Sequence, residues 1–255
     1  MRYLILSDIH GNREALEAVI RDARGKYDRI VSCGDLCDYG PDSNYVIDWA
    51  RANLAVVIRG NHDRVCAGLD DTDLFSDLAQ ASAAWTMEHL TPANRTYLRE
   101  LPQGPVLVDK SLVLVHGSPR DEDEYVTTMK EVSEVFTFLG VTATSETAGL
   151  PVFFGHTHVQ VAFVREQGHT RGISAPLTPT PETRFSLEPG AKYLINPGSV
   201  GQPRDGDARA AYAIFDSGTQ ELALRRVPYD YMTTEDKILA AGLPLRLAVR
   251  LAFGR

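Results

Sequence analysis

Two histidines one residue apart, His156 and His158, follow a short apolar run, residues 152–154, near the middle of the chain. The run predicts a buried strand, and Gly155 ends it. Neutral imidazole is the commonest metal-binding side chain, so two imidazoles at the end of a rigid strand indicate one corner of a metal site. Alone, such a pair is equally compatible with ordinary surface or core histidines, so other residues must decide.

Four further apolar runs also end in residues that can bind a metal ion. With the first run, the candidate ligands are Asp8, His10, Asp35, Asn61, His116, His156 and His158. In open α/β sheets the ligand site lies beyond the carboxyl ends of the strands, so residues far apart in sequence can meet there. Each candidate has a structural alternative: an aspartate could cap a helix, Asn61 could serve a turn, and His116 could be a buried histidine with a hydrogen-bond partner. Chance placement of all of them at strand ends is improbable, which favours a metal site.

The ligand types indicate which ions would bind. Carboxylate, imidazole and amide groups suit manganese, iron, zinc or cobalt better than magnesium or calcium. Seven ligands exceed what one catalytic ion with an open position can use, so they predict two ions that share a carboxylate, roughly 3.5 to 4 Å apart. Two divalent ions bring about four positive charges against two carboxylates and one hydroxide. The remaining positive charge suits a phosphate.

The elements that must position these residues repeat a strand, a polar turn and a helix. Residues 4–6 form an apolar run, and apolar residues then recur at helical spacing over 13–24. Residues 30–31 begin a second strand, 44–52 a second helix and 55–58 a third strand. This repeat predicts an α/β fold.

Residues 65–104 differ, because good helix formers over 76–90 and the N-cap pattern Thr91-Pro92 predict a helical insertion. Packing is the favoured role for it, ahead of a wall for the site or a contact with a partner. The predicted elements then continue with a strand over 112–115 and a helix over 129–139.

Residues 152–228 are predicted to be rich in strands. The alternation over 159–165 reaches Gln167-Gly168, which predicts a hairpin turn, and further strands are expected over 192–195 and 211–215. By contrast, the many Pro, Thr and Ser residues of 171–190 predict a loose loop. Two C-terminal helices are expected over about 233–253.

Composition suits one domain spanning residues 1–255, since 44% of the residues are hydrophobic and 24% are charged. The net charge of −8, without a basic run, disfavours a nucleic-acid partner. The first residues turn polar too early for a signal peptide, and no apolar run reaches membrane length, so a cytoplasmic location without membrane association is expected. The three cysteines, Cys33, Cys37 and Cys66, are expected to be reduced.

Five segments, taken together, carry a family resemblance. They are Asp8-Ile9-His10-Gly11, Gly34-Asp35, Gly60-Asn61-His62-Asp63, His116-Gly117 and Gly155-His156-Thr157-His158. They resemble the five motifs of the calcineurin-like metallophosphoesterase family, in the family's order. The resemblance implies a four-layer α/β/β/α sandwich with two mixed β-sheets, and the strand-rich stretch after residue 158 fits the second sheet.

The resemblance also implies the roles of the ligands. One metal ion would be held by Asp8, His10, Asp35 and His158, and the other by Asp35, Asn61, His116 and His156. The implied reaction is in-line attack on phosphorus by a metal-bridging hydroxide whose pKa the two cations lower. His62 is the family's candidate for stabilising or protonating the leaving oxygen, and Asp63 could orient it. The family often has glutamate in place of Asp63, and a helix cap is the structural alternative for this residue.

Two more residues are candidates for binding substrate. Asn12, at the start of the first helix, could contact phosphate or act as an ordinary N-cap. The Arg204 guanidinium matches phosphate oxygens geometrically, although a surface salt bridge is an alternative. Cys37 could line the pocket or serve as a small buried hydrophobe. His89 and His169 are assigned no role.

Within the family, residues 38–41, residues 196–199 and the compact length most resemble the small bacterial phosphodiesterases that are often described as similar to diadenosine tetraphosphatases. The resemblance favours a phosphodiesterase with two metal ions that acts on a small phosphate ester or nucleotide. The alternatives are a phosphomonoesterase, a protein phosphatase, a nuclease and a non-catalytic metal-binding scaffold. Retention of all seven ligands and of His62 favours an enzyme; the oligomeric state is left open.

Overall fold

The structure is a computed structural model that describes residues 1–174 and 180–255. Within these residues the strands form two six-stranded sheets. The first consists, in spatial order, of β3 (Val56–Val57), β2 (Arg29–Ser32), β1 (Arg2–Leu6), β11 (Ala210–Asp216), β12 (Glu221–Val227) and β9 (Glu182–Ser186). The second consists of β4 (Val106–Val108), β5 (Leu112–Leu114), β6 (Val152–Phe153), β10 (Lys192–Asn196), β7 (Val161–Glu166) and β8 (His169–Ser174).

Both sheets are mixed. In the first sheet β1, β2 and β3 are parallel, whereas β11, β12 and β9 follow in antiparallel pairs. In the second sheet β5, β6 and β10 are parallel, and the remaining strands pair antiparallel to them or to each other. Five of these parallel strands, β1, β2, β3, β5 and β6, precede the candidate ligands, so their carboxyl ends place the ligands at the edges of the sheets.

The described part of the chain also contains eight α-helices and a 3₁₀ helix. They are α1 (Arg13–Ala23), α2 (Ser43–Asn53), α3 (Asn61–Cys66), α4 (Asp77–His89), α5 (Pro92–Glu100), α6 (Met129–Thr142), α7 (Tyr231–Ala240), α8 (Leu245–Val249) and the 3₁₀ helix Arg250–Phe253. Among these residues, no helix is both long and apolar enough to cross a membrane. The three cysteines, all within the described residues, are buried and form no disulfide.

The alternation of β1 shows how the layers are built. Leu4 and Leu6 pack in the core cluster that contains Leu16 of α1. Tyr3 and Ile5, on the opposite face of the strand, belong to the cluster between the two sheets. Helix α6 covers the outer face of the second sheet, where its apolar residues pack in a third cluster. The predicted four-layer α/β/β/α sandwich with two mixed sheets is therefore confirmed.

Two predictions about the second half need correction. The loose loop predicted over 171–190 contains the end of β8 and all of β9; residues 175–179 lie outside the described residues. Pairing with β7 and β12 supplies the backbone hydrogen bonds of these strands, which outweighs a composition typical of loops. Nor does the stretch after residue 158 form the second sheet alone, because it also supplies β9, β11 and β12 to the first.

The predicted hairpin turn is present between β7 and β8. Gln167 and Gly168 have φ values of 48° and 82°, the left-handed conformation that the type I′ hairpin turn requires at both central positions. The residue types Gln167-Gly168 thus predicted the turn correctly, although most of strand β8 after it was predicted to be a loop.

Candidate metal centre

All seven candidate ligands follow the carboxyl ends of strands and are buried. Within the described residues, histidine and aspartate side chains form three groups, in each of which the ligand atoms lie within 4.8 Å of one another. One group joins His10, Asp35 and His62. The other two consist of candidate ligands alone and form two clusters, one of Asp8, His10 and His158 and the other of Asp35, His116 and His156. The Asp35 carboxylate connects them, because its Oδ2 lies 3.3 Å from His116 Nε2 and 3.6 Å from His10 Nε2. The structure therefore brings together the residues that the sequence singled out.

The imidazoles are held in defined tautomers by main-chain carbonyl groups. A carbonyl can only accept, so each ring nitrogen beside one carries a proton and donates it. The four pairs are His10 Nδ1 with Cys37 (3.0 Å), His158 Nδ1 with Gln202 (2.6 Å), His116 Nδ1 with Cys33 (2.8 Å) and His156 Nε2 with Asp123 (3.1 Å). In each ring it is the other nitrogen that faces the centre.

This arrangement leaves acceptors facing acceptors. His10 Nε2 and His158 Nε2 lie 3.1 Å apart, and burial holds the pKa of both histidines well below the usual value. Each nitrogen therefore presents a lone pair to the other. His156 is similar, because its Nδ1 lies 3.0 Å from Asn61 Oδ1 and burial lowers the pKa of His156 to about 3. Such contacts become favourable when a cation lies between the atoms.

The carboxylates give the same indication. Asp8 Oδ2 and Asp35 Oδ2 are buried and have no hydrogen-bond partner in the described part of the chain. Burial raises the pKa of Asp8 to about 6. Burial also acts to raise the pKa of Asp35, but the nearby His116 and His62 outweigh it and hold that pKa well below the ordinary value. A buried carboxylate oxygen without a partner is costly, and coordination of a cation would remove that cost.

His116 differs from the other three imidazoles. Burial acts to lower its pKa, but the negative charge of Asp35, whose Oδ2 lies 3.3 Å from His116 Nε2, outweighs burial and raises the pKa to about 10. Its centre-facing nitrogen therefore carries a proton when no cation is bound. A metal ion would have to replace this proton, which couples metal affinity to pH.

Backbone conformation at the centre is unusual. Five candidate ligands have positive φ values between 49° and 64°: Asp8, His10, Asp35, His156 and His158. This left-handed region costs a residue with a side chain about 1 to 2 kcal/mol. Because five ligands adopt this conformation, surrounding contacts must hold these turns in place. The turns direct side chains from several strands towards one point.

Two glycines of the sequence motifs are explained by close approach. A Cβ on Gly60 would lie 2.0 Å from Asp35 Oδ1, and a Cβ on Gly155 would lie 2.0 Å from Ser7 Oγ and 2.8 Å from Asp8 Oδ2. Any side chain at these positions would displace the carboxylates. The glycines therefore leave room for Asp8 and Asp35 rather than providing flexibility.

His62 lies next to the centre, and its orienting partner is not the predicted one. His62 Nδ1 is 2.6 Å from Oδ2 of the fully buried Asp38. Asp63 instead accepts hydrogen bonds from main-chain N–H groups, among them that of Gly60 at the start of α3, and so acts as a helix cap. The prediction that Asp63 orients His62 is thereby corrected. Asp38 was missed; its one sequence signal is an aspartate three residues after Asp35, in the same turn.

Of the two roles predicted for Asn12, phosphate contact and helix N-cap, its hydrogen bonds support the N-cap. Its Oδ1 accepts from Ala15 N at 3.0 Å and from Thr234 Oγ1 at 3.2 Å, and its Nδ2 donates to the Gly201 carbonyl at 2.8 Å. The side chain is an N-cap for α1 with its hydrogen-bonding capacity in use. Asn12 is therefore removed from the substrate-binding candidates.

Arg204 remains a candidate. Its guanidinium lies over the Tyr39 ring at 5.6 Å, and that ring is 4.6 Å from both the His10 and His62 rings. It donates to Gln202 Oε1 at 3.1 Å, whereas its buried Nε has no partner among residues 1–174 and 180–255. Arg204 thus stands beside the centre with donor capacity to spare.

Comparison with known proteins identifies the family. Residues 1–220 match the sequence model of the calcineurin-like phosphoesterase superfamily domain. The chain belongs to this superfamily. An uncharacterized protein of Methanocaldococcus jannaschii is 31% identical over 258 residues, which cover 98% of this chain and 97% of that protein.

Solved structures agree with the assignment. A metallophosphoesterase from Sphaerobacter thermophilus is 35% identical and has a TM-score of 0.83, with 100% of this chain and 99% of that one covered. A hypothetical protein from Pyrococcus horikoshii has a TM-score of 0.74 at 20% identity, with 100% and 98% covered, a likeness that shows the fold alone.

In this calcineurin-like phosphoesterase a cavity of about 930 Å³ lies beside the centre. Asn61, His62 and His156 line it on the metal side. The helical insertion, predicted mainly for packing, also forms a wall of the cavity, to which it contributes Leu74 and Phe75. Arginines of the C-terminal helices line the cavity as well. The centre therefore opens into a space that can hold a ligand much larger than phosphate.

Proposed function

We propose that this calcineurin-like phosphoesterase hydrolyses a small phosphodiester with the help of two transition-metal ions. The observation that most strongly supports the proposal is the set of buried lone pairs and unpartnered carboxylate oxygens that face one another. The first ion would be held by Asp8, His10, Asp35 and His158, and the second by Asp35, Asn61, His116 and His156. The mixed oxygen and nitrogen donors suit manganese, iron, zinc or cobalt.

Two such ions, when bound, supply positive charge to the phosphate and lower the pKa of water. The protein's own contribution at the centre is to fix geometry. Asp35 lies between the two clusters and suits a shared ligand, and the main-chain carbonyls fix the imidazole tautomers.

His62 is proposed to donate a proton to the leaving oxygen. Asp38 accepts from its Nδ1, which fixes the ring and leaves Nε2 for the substrate. Burial acts to lower the pKa of His62, but Asp35 and Asp38 outweigh it and raise the pKa. The protonated imidazole is the form that a general acid needs.

Arg204 is proposed to bind oxygens of the scissile phosphate. Its planar guanidinium can donate two parallel hydrogen bonds to a phosphate, and its Cζ lies 5.6 Å from the centre of the Tyr39 ring beside the metal centre. Burial raises the pKa of Tyr39 to about 12, so this ring stays a neutral phenol near neutral pH.

The size of the cavity supports a diester. About 930 Å³ is enough for an organic group on each side of the phosphate, as in a small ester or a nucleotide. The net charge of −8 counts against a nucleic-acid polymer as the substrate. A monoesterase, a protein phosphatase and a metal-binding scaffold are the alternatives that the test must separate.

The test is hydrolysis of bis-(p-nitrophenyl) phosphate and p-nitrophenyl phosphate after chelation, with each metal then restored separately. We expect turnover that depends on metal, is faster with the diester, is lost in His62→Ala and is kept in His89→Ala. His89 is a matched control because it is an exposed histidine at the end of α4. Faster turnover of the monoester would indicate a monoesterase. A folded protein with two bound ions and no turnover of either ester would support the scaffold.

A further inference from the structure

Four arginines line one side of the cavity beside the metal centre: Arg204, Arg246, Arg250 and Arg255. Arg246 in α8 and Arg250 in the 3₁₀ helix are four residues apart, so their side chains start from the same helical face. Three of the four lie beyond residue 220, where the match to the superfamily ends.

The C-terminal helices that carry these arginines are packed against the site. Leu247 and Leu251 are buried in a core cluster that also contains Tyr39 and Ala79. Gly206 N donates to the Gly254 carbonyl at 2.9 Å, which ties the last residues to the loop that follows Arg204. The arginines are therefore presented by a fixed surface.

These four arginines have no acidic side-chain partner in the described part of the chain. Among residues 1–174 and 180–255, no Asp or Glu carboxylate lies within 4.0 Å of any of the four guanidinium groups, although Arg250 Nε donates to the main-chain oxygen of Arg255. By contrast, Arg64, on the same cavity, pairs with Asp70, Glu122 and Asp123. Burial and then the charges of Arg204 and Arg246 lower the pKa of Arg250 to about 10. Positive charges that line one cavity repel one another, and an anion bound among them would reduce that cost.

The acidic residues of the cavity do not supply that anion. Asp70 and Asp123 are already paired with Arg64, and Asp71 and Asp77 lie in the insertion without an ion pair to the cluster in the described part of the chain. They leave the arginine side of the cavity open to a ligand of the opposite charge.

We propose that Arg246 and Arg250, together with Arg204, bind a second phosphoryl group of the substrate. The substrate class would then be an organic compound with at least two phosphoryl groups, one at the metal centre and one at the arginines. The inference rests on the proposed function for the first of these positions. Arg204 connects the two, because it lies over Tyr39 beside the centre and its charge acts on Arg250.

The organic part of such a substrate has a place in the same cavity. Phe75 and Tyr125 line it near the centre, where their rings lie 4.5 Å from the His62 ring and 4.0 Å from the His156 ring. Aromatic faces suit a flat ring system, and guanidinium groups suit phosphoryl oxygens. The cavity thus offers separate surfaces for both parts of the ligand.

The test is isothermal titration of the full, metal-loaded chain with non-hydrolysable probes. Bisphosphonates with linkers of three and six carbons are compared with monophosphonates of the same chain lengths. We expect the better bisphosphonate to bind about tenfold tighter than its monophosphonate, and this advantage to fall to about twofold in R246Q/R250Q. The double variant R21Q/R24Q removes the same charge from exposed positions on and just after α1 and should keep the full advantage.

A second variant guards against loss of structure. Arg250 Nε donates to the Arg255 carbonyl, so the double substitution could loosen the C-terminus. R246Q alone changes an exposed side chain and should reduce the advantage about threefold with no change in melting temperature. Equal affinity for the two kinds of probe in the wild type, or an advantage that survives R246Q/R250Q, would overturn the inference. Because the probes are not hydrolysed, this outcome is distinct from a failure of the proposed catalytic activity.

Discussion

The metal centre and the arginine side of the cavity adjoin each other but are built differently. At the centre each ligand is buried and follows a strand, and main-chain carbonyls fix the orientation of the four histidines. Along the cavity the arginines come from short C-terminal helices, and Arg246 is exposed. Geometry at the centre is therefore encoded locally, in turns of a few residues, whereas the arginine surface depends on how distant segments pack together. The two regions should respond differently to substitution.

The largest effect is expected at Asp35, which connects the two ligand clusters. Asp35→Asn keeps the size of the side chain but removes the charge that a shared ligand supplies. We expect the number of bound ions to fall below two per chain and turnover to fall about a thousandfold or more. Mass spectrometry of bound metal, together with hydrolysis of bis-(p-nitrophenyl) phosphate, measures both.

The control for Asp35 is Asp73→Asn, which alters an exposed aspartate of the insertion. Its metal content and turnover should match the wild type. If Asp35→Asn retained two ions and near-normal turnover, the two clusters would not share this carboxylate, and the description of the centre would be wrong.

Substitution of Asp63 tests how much its hydrogen bonds to main-chain N–H groups stabilise the turns around the metal centre. Asp63→Ala removes the acceptor of buried main-chain N–H groups, those of Gly60, Asp35, Leu36 and Cys37. Each buried donor left unpaired costs about 1 to 3 kcal/mol, so with four donors affected we expect the free energy of unfolding to fall by about 4 kcal/mol or more. Urea denaturation beside Asp73→Ala measures this. Unchanged stability with a large loss of turnover would restore Asp63 as a catalytic residue.

The difference between the metal centre and the arginine side of the cavity explains why the sequence predicted the first and not the second. The ligands were recognisable because each lies within a few residues of a strand end, and because Gly60 and Gly155 mark turns where no side chain fits. Asp38 was missed since its contact with His62 spans 24 residues, and the neighbouring Asp63 offered a simpler partner. The role of one aspartate in a turn depends on which way the turn faces, and sequence spacing does not supply that direction.

Longer-range features were harder still. Strand β9 forms within a segment whose composition is typical of a loop, because its partner β12 lies about 40 residues further along the chain. The arginines of the C-terminal helices read as ordinary charges of an amphipathic helix until the fold brings Arg246 and Arg250 to the same cavity as Arg204. Strand β9 and the arginine side of the cavity both depend on contacts between distant segments, and the local sequence pattern does not predict such contacts.

Asp38 provides the test of orientation at His62. Asp38→Asn replaces the carboxylate with a neutral amide that stabilises the protonated imidazole less, so we expect kcat to fall about a hundredfold while two ions stay bound. The loss should be larger for an alkyl ester than for a p-nitrophenyl ester, since an alkoxide needs the proton more. The limb of the pH–rate profile that reports His62 should move to lower pH. An unchanged kcat for both esters would contradict the orienting role.

The smallest effect is expected at Glu122, whose buried carboxylate pairs with Arg59 and Arg64 next to the centre. Burial acts to raise its pKa, but the two arginines outweigh burial and lower the pKa below 4.5. A lowered folded-state pKa means that the charge contributes stability above about pH 4.5 and loses it as the pH falls towards the folded-state value.

Glu122→Gln should therefore destabilise the protein by about 1 to 2 kcal/mol at pH 7, and the difference from the wild type should shrink below about pH 4.5. Urea denaturation at several pH values measures the difference, with the exposed Glu146→Gln as control. A difference that stays constant down to pH 3 would mean that packing, not charge, makes Glu122 important. In that event the ion pairs of Glu122 with Arg59 and Arg64 would contribute as little to stability as exposed ion pairs do.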